Sequence, residues 1–360
     1  MRVLAFAPYP AGGASTRYRI LQFVPTLATY GIEVVTDSLH SEAGFRRLYQ
    51  SSGLFSKARD WLAAGARRRE RIGHAGEYDV IFLHRELWPL RGMLHERMLL
   101  RKNPRWVFDL DDAVFLPNVS EANRRLALLK APSKSAWVLA QARSVCAGNR
   151  FLLEWAEAGL ARGAKAFLAP TALDVARWSP APARRDGPVT LGWIGTHTTV
   201  RYLDALRPVF DALHARHPEV RLRTIGARFD LPGWQVEFVP WSEEGEVEAL
   251  RGVDIGLSPL PDTDWARGKC GLKLLQYMAL GMPAVASSVG AHLEIAPGGR
   301  GARLAAGTEE WLEALSSLVA DENARRALGA EGRRTVVERY SIAAVAPVLR
   351  DALVHAREAP

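Results

Sequence analysis

The chain has 360 residues, 48% hydrophobic and 24% charged, which predicts a soluble protein with room for two domains. It has only two cysteines, Cys146 and Cys270, and no apolar run reaches the roughly 18 residues that cross a bilayer. These features exclude a disulfide-framework protein and a membrane-spanning one, and we expect a cytoplasmic location. Residues 1–180 carry a net charge of +10, from 26 Lys and Arg against 16 Asp and Glu, which predicts an anionic partner.

The first half of the sequence alternates predicted strands and helices. Short apolar runs predict strands at residues 2–7, 32–36, 80–84, 106–110 and 144–147, with helical patterns such as 18–30 and 124–142 between them. Such alternation is typical of βαβ units and a parallel sheet. Prolines and charged residues at 179–188 predict a loop at a domain boundary.

The second half begins the same alternation again. Strands are predicted at residues 189–194, 220–225, 236–239, 254–258 and 283–286, with a helix from about Val200. We therefore expect an α/β fold with a first domain at 1–175, a linker at 176–188 and a second domain at 189–340. The amphipathic stretch 342–357 predicts a last helix.

The most distinctive segment is bounded by glycines, at residues 268–288. Gly268 and Gly271 predict a turn, the next residues a helix of about two and a half turns, and Gly281 a second turn before a buried strand. Backbone N–H groups at such a helix start favour an anion. Because Lys269 and Lys273 lie one helical turn apart at this end, the pattern indicates either a phosphate site or a solvated basic turn.

This segment resembles the donor-site helix of retaining GT-B glycosyltransferases of family 4 (glycosyl transferase group 1). The signature of that family runs glycine, apolar residues, Glu, Ala-Met-Ala, Gly-Pro and Val-Val-Ala-Ser. The preceding run 253–260 and the later Gly290 are also similar, so the match spans residues 240–290. The family usually has two glutamates with seven residues between them. Here Gly268 stands at the first place and Gln276 at the second, where an amide can still hydrogen-bond a ribose hydroxyl.

The resemblance implies a GT-B fold, in which two Rossmann-like parallel-sheet domains face each other across a cleft. Residues 341–360 would pack back on the first domain, as the last helix does in such folds. A nucleotide-diphosphate sugar would be the donor, and the chain would need no metal or cofactor, because lysines and helix starts take over the charge role. The expected donor-binding residues are Gly12, Gly13, Gly195, Thr196, Arg201, Lys269, Lys273, Leu274 and Gln276.

A strand-to-helix turn at residues 192–197 lies where open parallel sheets bind ligands, at the carboxyl ends of the strands. Gly195 lets the backbone approach a diphosphate, and Thr196 can cap the following helix. The family usually has an arginine and a lysine near this turn. This sequence has His197 and Arg201 instead, so we expect the cationic role to have shifted to the two lysines.

The equivalent turn of the first domain contains Gly12 and Gly13, followed by Arg17 and Arg19. It is similar to the glycine loop that faces the donor in the family. The two arginines either bind an acceptor phosphate or cover the edge of the sheet as solvated guanidinium groups.

Three carboxylates, Asp109, Asp111 and Asp112, crowd the end of the predicted strand 106–110. Such a group needs a positive charge among its members. Three interpretations stay open: an acceptor or catalytic site at the cleft, a metal-binding Asp-x-Asp as in GT-A transferases, or a haloacid-dehalogenase phosphatase motif with Asp109 as nucleophile. His84, which closes a neighbouring strand, can orient sugar hydroxyls or act as acid or base. Asn149 ends another strand and is placed on the acceptor side.

The segment from Arg46 to Arg71 has eight basic residues against Asp60 and Glu70, interspersed with aromatic and aliphatic side chains. This composition suits the interface of an anionic membrane. It also suits a surface helix whose apolar face packs on its own domain. The membrane interpretation predicts a peripheral position on the inner face of the cell membrane, and we expect no nucleic-acid partner.

Together these features predict a glycosyltransferase that moves a sugar from a nucleotide-diphosphate sugar to a cell-envelope, lipid-linked or polysaccharide acceptor. Retention of anomeric configuration and independence of metal are expected, with His84, Asp111 and Asp112 as the catalytic residues. One alternative is a GT-B-like protein that binds sugar nucleotides without turnover. The other is a phosphatase of the haloacid-dehalogenase type that uses Asp109 and Asp111.

Overall fold

The computed structural model of the protein describes residues 1–48, 54–117, 133–180 and 187–359. The chain forms two compact units. Unit 1 comprises Met1–Ala172 and Val345–Pro360, and unit 2 comprises Leu173–Ala344.

Unit 1 is built on a sheet of six strands whose neighbouring pairs are all parallel, in the order β2-β1-β3-β4-β5-β6. Its strands are β1 (Arg2–Ala7), β2 (Glu33–Ser38), β3 (Val80–His84), β4 (Trp106–Leu110), β5 (Ser144–Ala147) and β6 (Lys165–Leu168). Its helices are α1 (Ala14–Arg19), α2 (Val24–Thr29), α3 (Glu42–Leu48), α4 (Leu54–Gly73), α5 (Leu94–Lys102), α6 (Ser133–Gln141) and α7 (Arg150–Gly159). From β1 the chain adds β2 on one side and then β3 to β6 on the other, so the switch point of the sheet lies between β1 and β3. Ligands are expected at the carboxyl ends of these two strands.

Unit 2 has a second sheet of six strands, also with parallel pairs only, in the order β12-β11-β10-β7-β8-β9. The strands are β7 (Thr190–Ile194), β8 (Arg221–Ile225), β9 (Val236–Val239), β10 (Ile255–Ser258), β11 (Ala284–Ser287) and β12 (Arg303–Ala305). The helices are α8 (Arg207–Arg216), α9 (Glu246–Arg251), α10 (Asp264–Arg267), α11 (Leu272–Ala279), α12 (Ala291–Ile295), α13 (Thr308–Ala320) and α14 (Glu322–Arg339). This is the strand order of dinucleotide-binding Rossmann sheets, and its switch point lies between β7 and β10.

A last helix, α15 (Ile342–Glu358), begins in unit 2, and its residues from Val345 onward belong to unit 1. Within unit 1, the Ser144 hydroxyl and His355 Nδ1 lie 3.1 Å apart, and Phe167 lies edge-on to the His355 ring. These contacts attach the end of α15 to β5 and β6.

Six interior strands are buried over their whole length, as expected where helices cover both faces of a parallel sheet: β3, β4, β5, β7, β10 and β11. In unit 2, Trp193 and Leu257 pack with Phe210 of α8 and Trp311 of α13 in one apolar core. None of the described helices is long and apolar enough to span a membrane.

Two glycines of α14 let this helix lie directly against two loops. A Cβ atom on Gly329 would overlap the carbonyl oxygen of Gly281, and one on Gly332 would lie 2.8 Å from that of Gly301. Gly281 and Gly301 have φ values of 67° and 78°, which favour glycine. The backbones therefore meet where side chains would normally separate them.

The elements differ from the sequence prediction mainly at prolines. The predicted helix 18–30 is divided into α1, a 3₁₀ turn at Leu21–Phe23 and α2, because Pro25 favours the start of a new helix. The helix expected from Val200 is 3₁₀ over Val200–Leu206 and becomes α-helical at Arg207, next to Pro208. Strands β6 and β12 were not predicted, and most of the first half of the predicted helix 124–142 lies outside the described residues.

Candidate functional site

In unit 2, a tight turn follows β7 at the switch point of the sheet. The carbonyl of Thr196 accepts hydrogen bonds from the N–H groups of Thr199 and Val200, at 2.9 and 3.0 Å, and the Thr199 hydroxyl accepts from the Thr196 N–H at 3.1 Å. A Cβ atom on Gly195 would overlap the Trp193 ring. Only glycine fits at this point, because the Trp193 ring and the Thr199 hydroxyl occupy the space that a side chain would need.

Helix α11 brings one of the two predicted lysines to this turn. Lys273 is the second residue of α11, and its Nζ lies 5.8 Å from the centre of the Trp193 ring. Lys269 lies before the helix, in the loop after α10, with its Nζ 5.4 Å from the Trp265 ring. The lysines therefore contact different tryptophans, and Lys273 is the one beside the carboxyl end of β7.

Tyr277 fixes α11 to both strands of the switch point. Its hydroxyl donates to the Leu257 carbonyl of β10 at 3.1 Å and accepts from the Ile194 N–H of β7 at 3.3 Å. Burial raises the pKa of this hydroxyl above its usual value. No motif in the sequence marks Tyr277. The only signal was Gly256 on β10, where a side chain would overlap the tyrosine ring.

His292 of α12 connects β10 with β11 nearby. Its Nδ1 donates to the Ser287 carbonyl at 2.9 Å, and its Nε2 lies 3.1 Å from the Ser258 hydroxyl. Burial lowers the pKa of His292 to about 4, and the charge of Lys273 adds to this effect. The ring is therefore neutral at pH 7. His292 was not predicted either, since a lone histidine after a glycine carries no motif.

The remaining residues predicted on the donor side differ in their exposure to solvent. Leu274 is completely buried in the core, so only its backbone could meet a ligand. Gln276 is also buried on α11. Arg201 is exposed in the 3₁₀ segment, with its guanidinium 5.5 Å from the Tyr202 ring.

In unit 1, a buried ion pair joins β4 to α1. The Asp109 carboxylate accepts two hydrogen bonds from Arg19, one from Nε at 3.1 Å and one from Nη2, and Arg19 Nη1 donates to the Ala169 carbonyl at 2.7 Å. His84 Nδ1 lies 2.7 Å from the same carboxylate. Burial favours the neutral acid, but the charge of Arg19 and these hydrogen bonds keep the pKa of Asp109 below its usual value.

Beside this pair, Arg85 holds the other two carboxylates of the acidic motif. Its Nε and Nη2 bind Asp111, the latter at 2.8 Å, and Nη2 also lies 3.2 Å from Asp112. Arg85 adopts a left-handed backbone conformation, with φ of 60°, directly after β3. Such a conformation costs a non-glycine residue on the order of 1–3 kcal/mol, so the ion pairs must compensate for it. Burial opposes ionisation of Asp111, yet the charge of Arg85 and its hydrogen bonds to the carboxylate hold the pKa of Asp111 below the ordinary range.

The other unit 1 candidates are held by local structure. Asn149 is the N-cap of α7, where its Oδ1 accepts from the Leu152 N–H at 2.9 Å. The Gly12 N–H donates to Glu42 at 3.4 Å, and the Gly13 N–H donates to the Pro10 carbonyl at 2.9 Å. Arg17 is buried and lies 5.1 Å from the Tyr18 ring. The solvated alternative for the two arginines is therefore wrong, since Arg19 is buried as well.

The comparisons with known proteins agree with this geometry. Residues 188–321 match the family Glycosyl transferases group 1. The chain therefore carries a glycosyltransferase domain. Among curated proteins, none shows a significant sequence match to it.

Solved structures of other GT-B glycosyltransferases are similar over nearly the whole chain. Sucrose-phosphate synthase of Thermosynechococcus elongatus is 15% identical, with a TM-score of 0.68 and 98% of each chain covered. HepE of Anabaena, solved with UDP and glucose, is 15% identical with a TM-score of 0.65, covering 98% of this chain and 99% of HepE. A UDP-forming α,α-trehalose-phosphate synthase of Burkholderia xenovorans is 13% identical with a TM-score of 0.66 and 99% of each chain covered. The predicted fold class is confirmed.

The acidic motif of this glycosyltransferase does not fit the phosphatase alternative. Both oxygens of Asp109 are bound by Arg19 and His84 in a buried site, so the carboxylate cannot approach a phosphorus atom as a nucleophile. Among the described residues, no three His, Cys, Asp or Glu side chains are grouped to hold a metal ion.

Part of the basic segment of the glycosyltransferase has an internal role. Arg68 of α4 is buried, pairs with Asp37 at 2.9 Å and donates to the Ala7 carbonyl at 3.0 Å. Burial lowers the pKa of Arg68 to about 10, which leaves it charged at pH 7. Arg67 and Arg69 are exposed on the same helix, as is Leu62. Residues 49–53 and the side chains of Arg46 and Lys57 lie outside the described part.

Proposed function

We propose that this glycosyltransferase moves a sugar from a nucleotide-diphosphate sugar to a cell-envelope, lipid-linked or polysaccharide acceptor, with retention of configuration and without a metal. The observation that carries the proposal is the position of Lys273 beside the glycine turn after β7, at the switch point of a Rossmann-type sheet. The presence of UDP and glucose in the structure of the similar HepE supports a nucleotide sugar as donor.

On the donor side, Lys273 would neutralise the leaving diphosphate, with Lys269 as a second cation in the preceding loop. The backbone at Gly195 and the hydroxyl of Thr196 would approach the same phosphates. Gln276 would hydrogen-bond the ribose. A fixed cation and backbone donors stabilise negative charge that develops on the leaving group, which is the role a metal ion has in other transferases.

On the acceptor side, His84, Asp111 and Asp112 would meet the reacting sugar or the acceptor hydroxyl. Asn149, Arg17 and Arg19 remain acceptor-side proposals, although the structure gives each a buried environment in unit 1. The exposed arginines and Leu62 of α4 support a peripheral contact with an anionic membrane, which would bring a lipid-linked acceptor within reach.

A second candidate function is sugar-nucleotide binding without turnover. It is favoured by Gly268, which stands where the family usually has a glutamate and therefore offers no carboxylate to the donor sugar. Measuring nucleotide binding and sugar transfer separately distinguishes the two functions.

The proposal is tested with a panel of UDP, GDP, dTDP and ADP sugars. Thermal shift identifies the nucleotide that binds, and release of the nucleoside diphosphate in the presence of membrane extract measures transfer. We expect one nucleotide to stabilise the protein and its sugar to be transferred. Binding without release in any extract would favour the second candidate, and the absence of binding to every nucleotide would contradict both.

A further inference from the structure

Carboxylates alternate with arginine and histidine side chains along the carboxyl edge of the unit 1 sheet. Arg19 binds Asp109, Asp109 binds His84, His84 faces Asp111, and Asp111 is held by Arg85. The strand register accounts for this order, because β3 and β4 pair His84 directly with Asp109. The strand register therefore brings His84 and Asp109 together within this row of side chains.

The protonation of His84 within this row is fixed by its neighbour. Asp109 is completely buried against the charge of Arg19, and an ionised carboxylate can only accept hydrogen bonds. The proton between Asp109 and His84 Nδ1, which lie 2.7 Å apart, therefore belongs to the imidazole. The neutral ring then carries its lone pair on Nε2.

The Nε2 atom has no hydrogen-bond partner among the described residues, although it is buried. The carboxylate oxygen Asp111 Oδ1 lies 3.9 Å from it, beyond hydrogen-bond distance, and is already bound by Arg85. Buried polar atoms are nearly always paired, so an acceptor left open in this way points to a donor that arrives with a ligand.

We infer that Arg19 and Asp109 are positioning residues that hold His84 as the Nδ1–H tautomer, so that Nε2 accepts a hydrogen bond from a hydroxyl group of the sugar substrate. The inference rests on the proposed glycosyl transfer. No covalent bond changes at His84: the substrate hydroxyl donates its hydrogen to Nε2 and keeps its proton. The neighbouring carboxylate, Asp111, is paired with Arg85.

The tautomer is read directly by ¹⁵N NMR of histidine-labelled protein at neutral pH, with the His84 signals assigned by their loss in a His84→Gln variant. We expect a protonated Nδ1 and an unprotonated Nε2. An Nε2–H tautomer or a doubly protonated ring would overturn the inference. This readout needs no substrate, so it stands even if the proposed transfer is not found.

Asp109→Asn tests the positioning role in catalysis, and Arg19→Gln combined with Asp109→Asn removes both buried charges if the single variant does not fold. We expect loss of the fixed tautomer and a kcat about 10- to 100-fold lower, with unchanged affinity for the nucleoside diphosphate. The matched control is Ser144→Ala, in β5 of the same sheet, which removes the hydroxyl partner of a different histidine, His355. This variant should keep the wild-type kcat. A folded charge-neutral variant with wild-type kcat would also overturn the inference.

Discussion

The ammonium group of Lys273 lies 5.8 Å from the centre of the Trp193 ring, within the range of a cation–π attraction. Trp193 is the fourth residue of β7, and its ring also fills the space beside Gly195. One aromatic side chain therefore lies beside the cation and also requires the glycine of the turn.

The first prediction concerns this lysine. Lys273→Ala should remove a charge-assisted contact of about 1.5–3 kcal/mol and weaken nucleoside-diphosphate binding roughly 10- to 150-fold, measured by calorimetry. Lys269→Ala is the matched control and should have a smaller effect, because Lys269 lies over Trp265, before the helix begins. Equal affinity for wild type and Lys273→Ala would contradict the assignment.

The second prediction concerns the hydroxyl of Tyr277. Tyr277→Phe leaves the buried Ile194 N–H and Leu257 carbonyl without this partner, so the free energy of unfolding should fall by about 1–3 kcal/mol. Urea unfolding measures the change. Tyr30→Phe, at a residue that is 38% exposed, serves as control and should change stability little. Similar losses in both variants would show that the hydrogen bonds of Tyr277 are not responsible.

The third prediction concerns pH and His292. The folded-state pKa of about 4 lies below the ordinary value of 6.5, so the unfolded chain takes up the proton first as the pH falls. The contribution of His292 to stability is therefore complete above about pH 6.5 and is lost towards pH 4, at about 1.4 kcal/mol per pH unit. Urea titrations between pH 7 and pH 4.5 should show a shallower decline for His292→Gln than for wild type. Parallel curves would refute this assignment.

The fourth prediction concerns the basic face of α4. The protein should pellet with anionic liposomes and be released as salt rises, since exposed charges are screened within about 10 Å at roughly 0.1 M salt. Replacing exposed Arg67 and Arg69 by Glu should reduce pelleting, whereas the same changes at exposed Arg334 and Arg339 of α14 should not. Equal recovery with neutral and anionic liposomes would argue for a soluble acceptor.

The fifth prediction separates the metal-free proposal from the metal-binding interpretation of the acidic motif. Asp111→Asn should reduce transfer and leave nucleotide binding nearly unchanged, because the proposed nucleotide contacts belong to unit 2. EDTA should alter neither property. Loss of turnover in EDTA that magnesium or manganese restores would instead assign a divalent ion to these carboxylates.

The sequence predicted the two parallel α/β units because continuous apolar strands alternate with helical periodicity in both halves. It also predicted that Lys273 begins a helix and that Gly195 forms a turn after a strand, since glycines and lysines next to predicted strands can be recognised in the sequence. Tyr277 and His292 were not predictable, because their roles depend on which strands are neighbours across the switch point. The pairing of Arg19 with Asp109 was missed for the same reason: the two residues are distant in sequence and meet only when α1 packs against the sheet.

The contact of α14 with the loops at Gly281 and Gly301 bears on how sequences of this kind can diverge. A residue at position 329 or 332 other than glycine has no rotamer that avoids the opposing backbone, since the overlap already arises at Cβ. Relaxing the overlap at position 329 would require the loop that joins α11 to β11 to shift, and with it the helix that carries Lys273, whereas the overlap at position 332 would displace the loop before β12. Neutral drift should therefore be free on the exposed face of α14 and blocked at these two positions, so a saturation library selected only for folding would recover glycine at both.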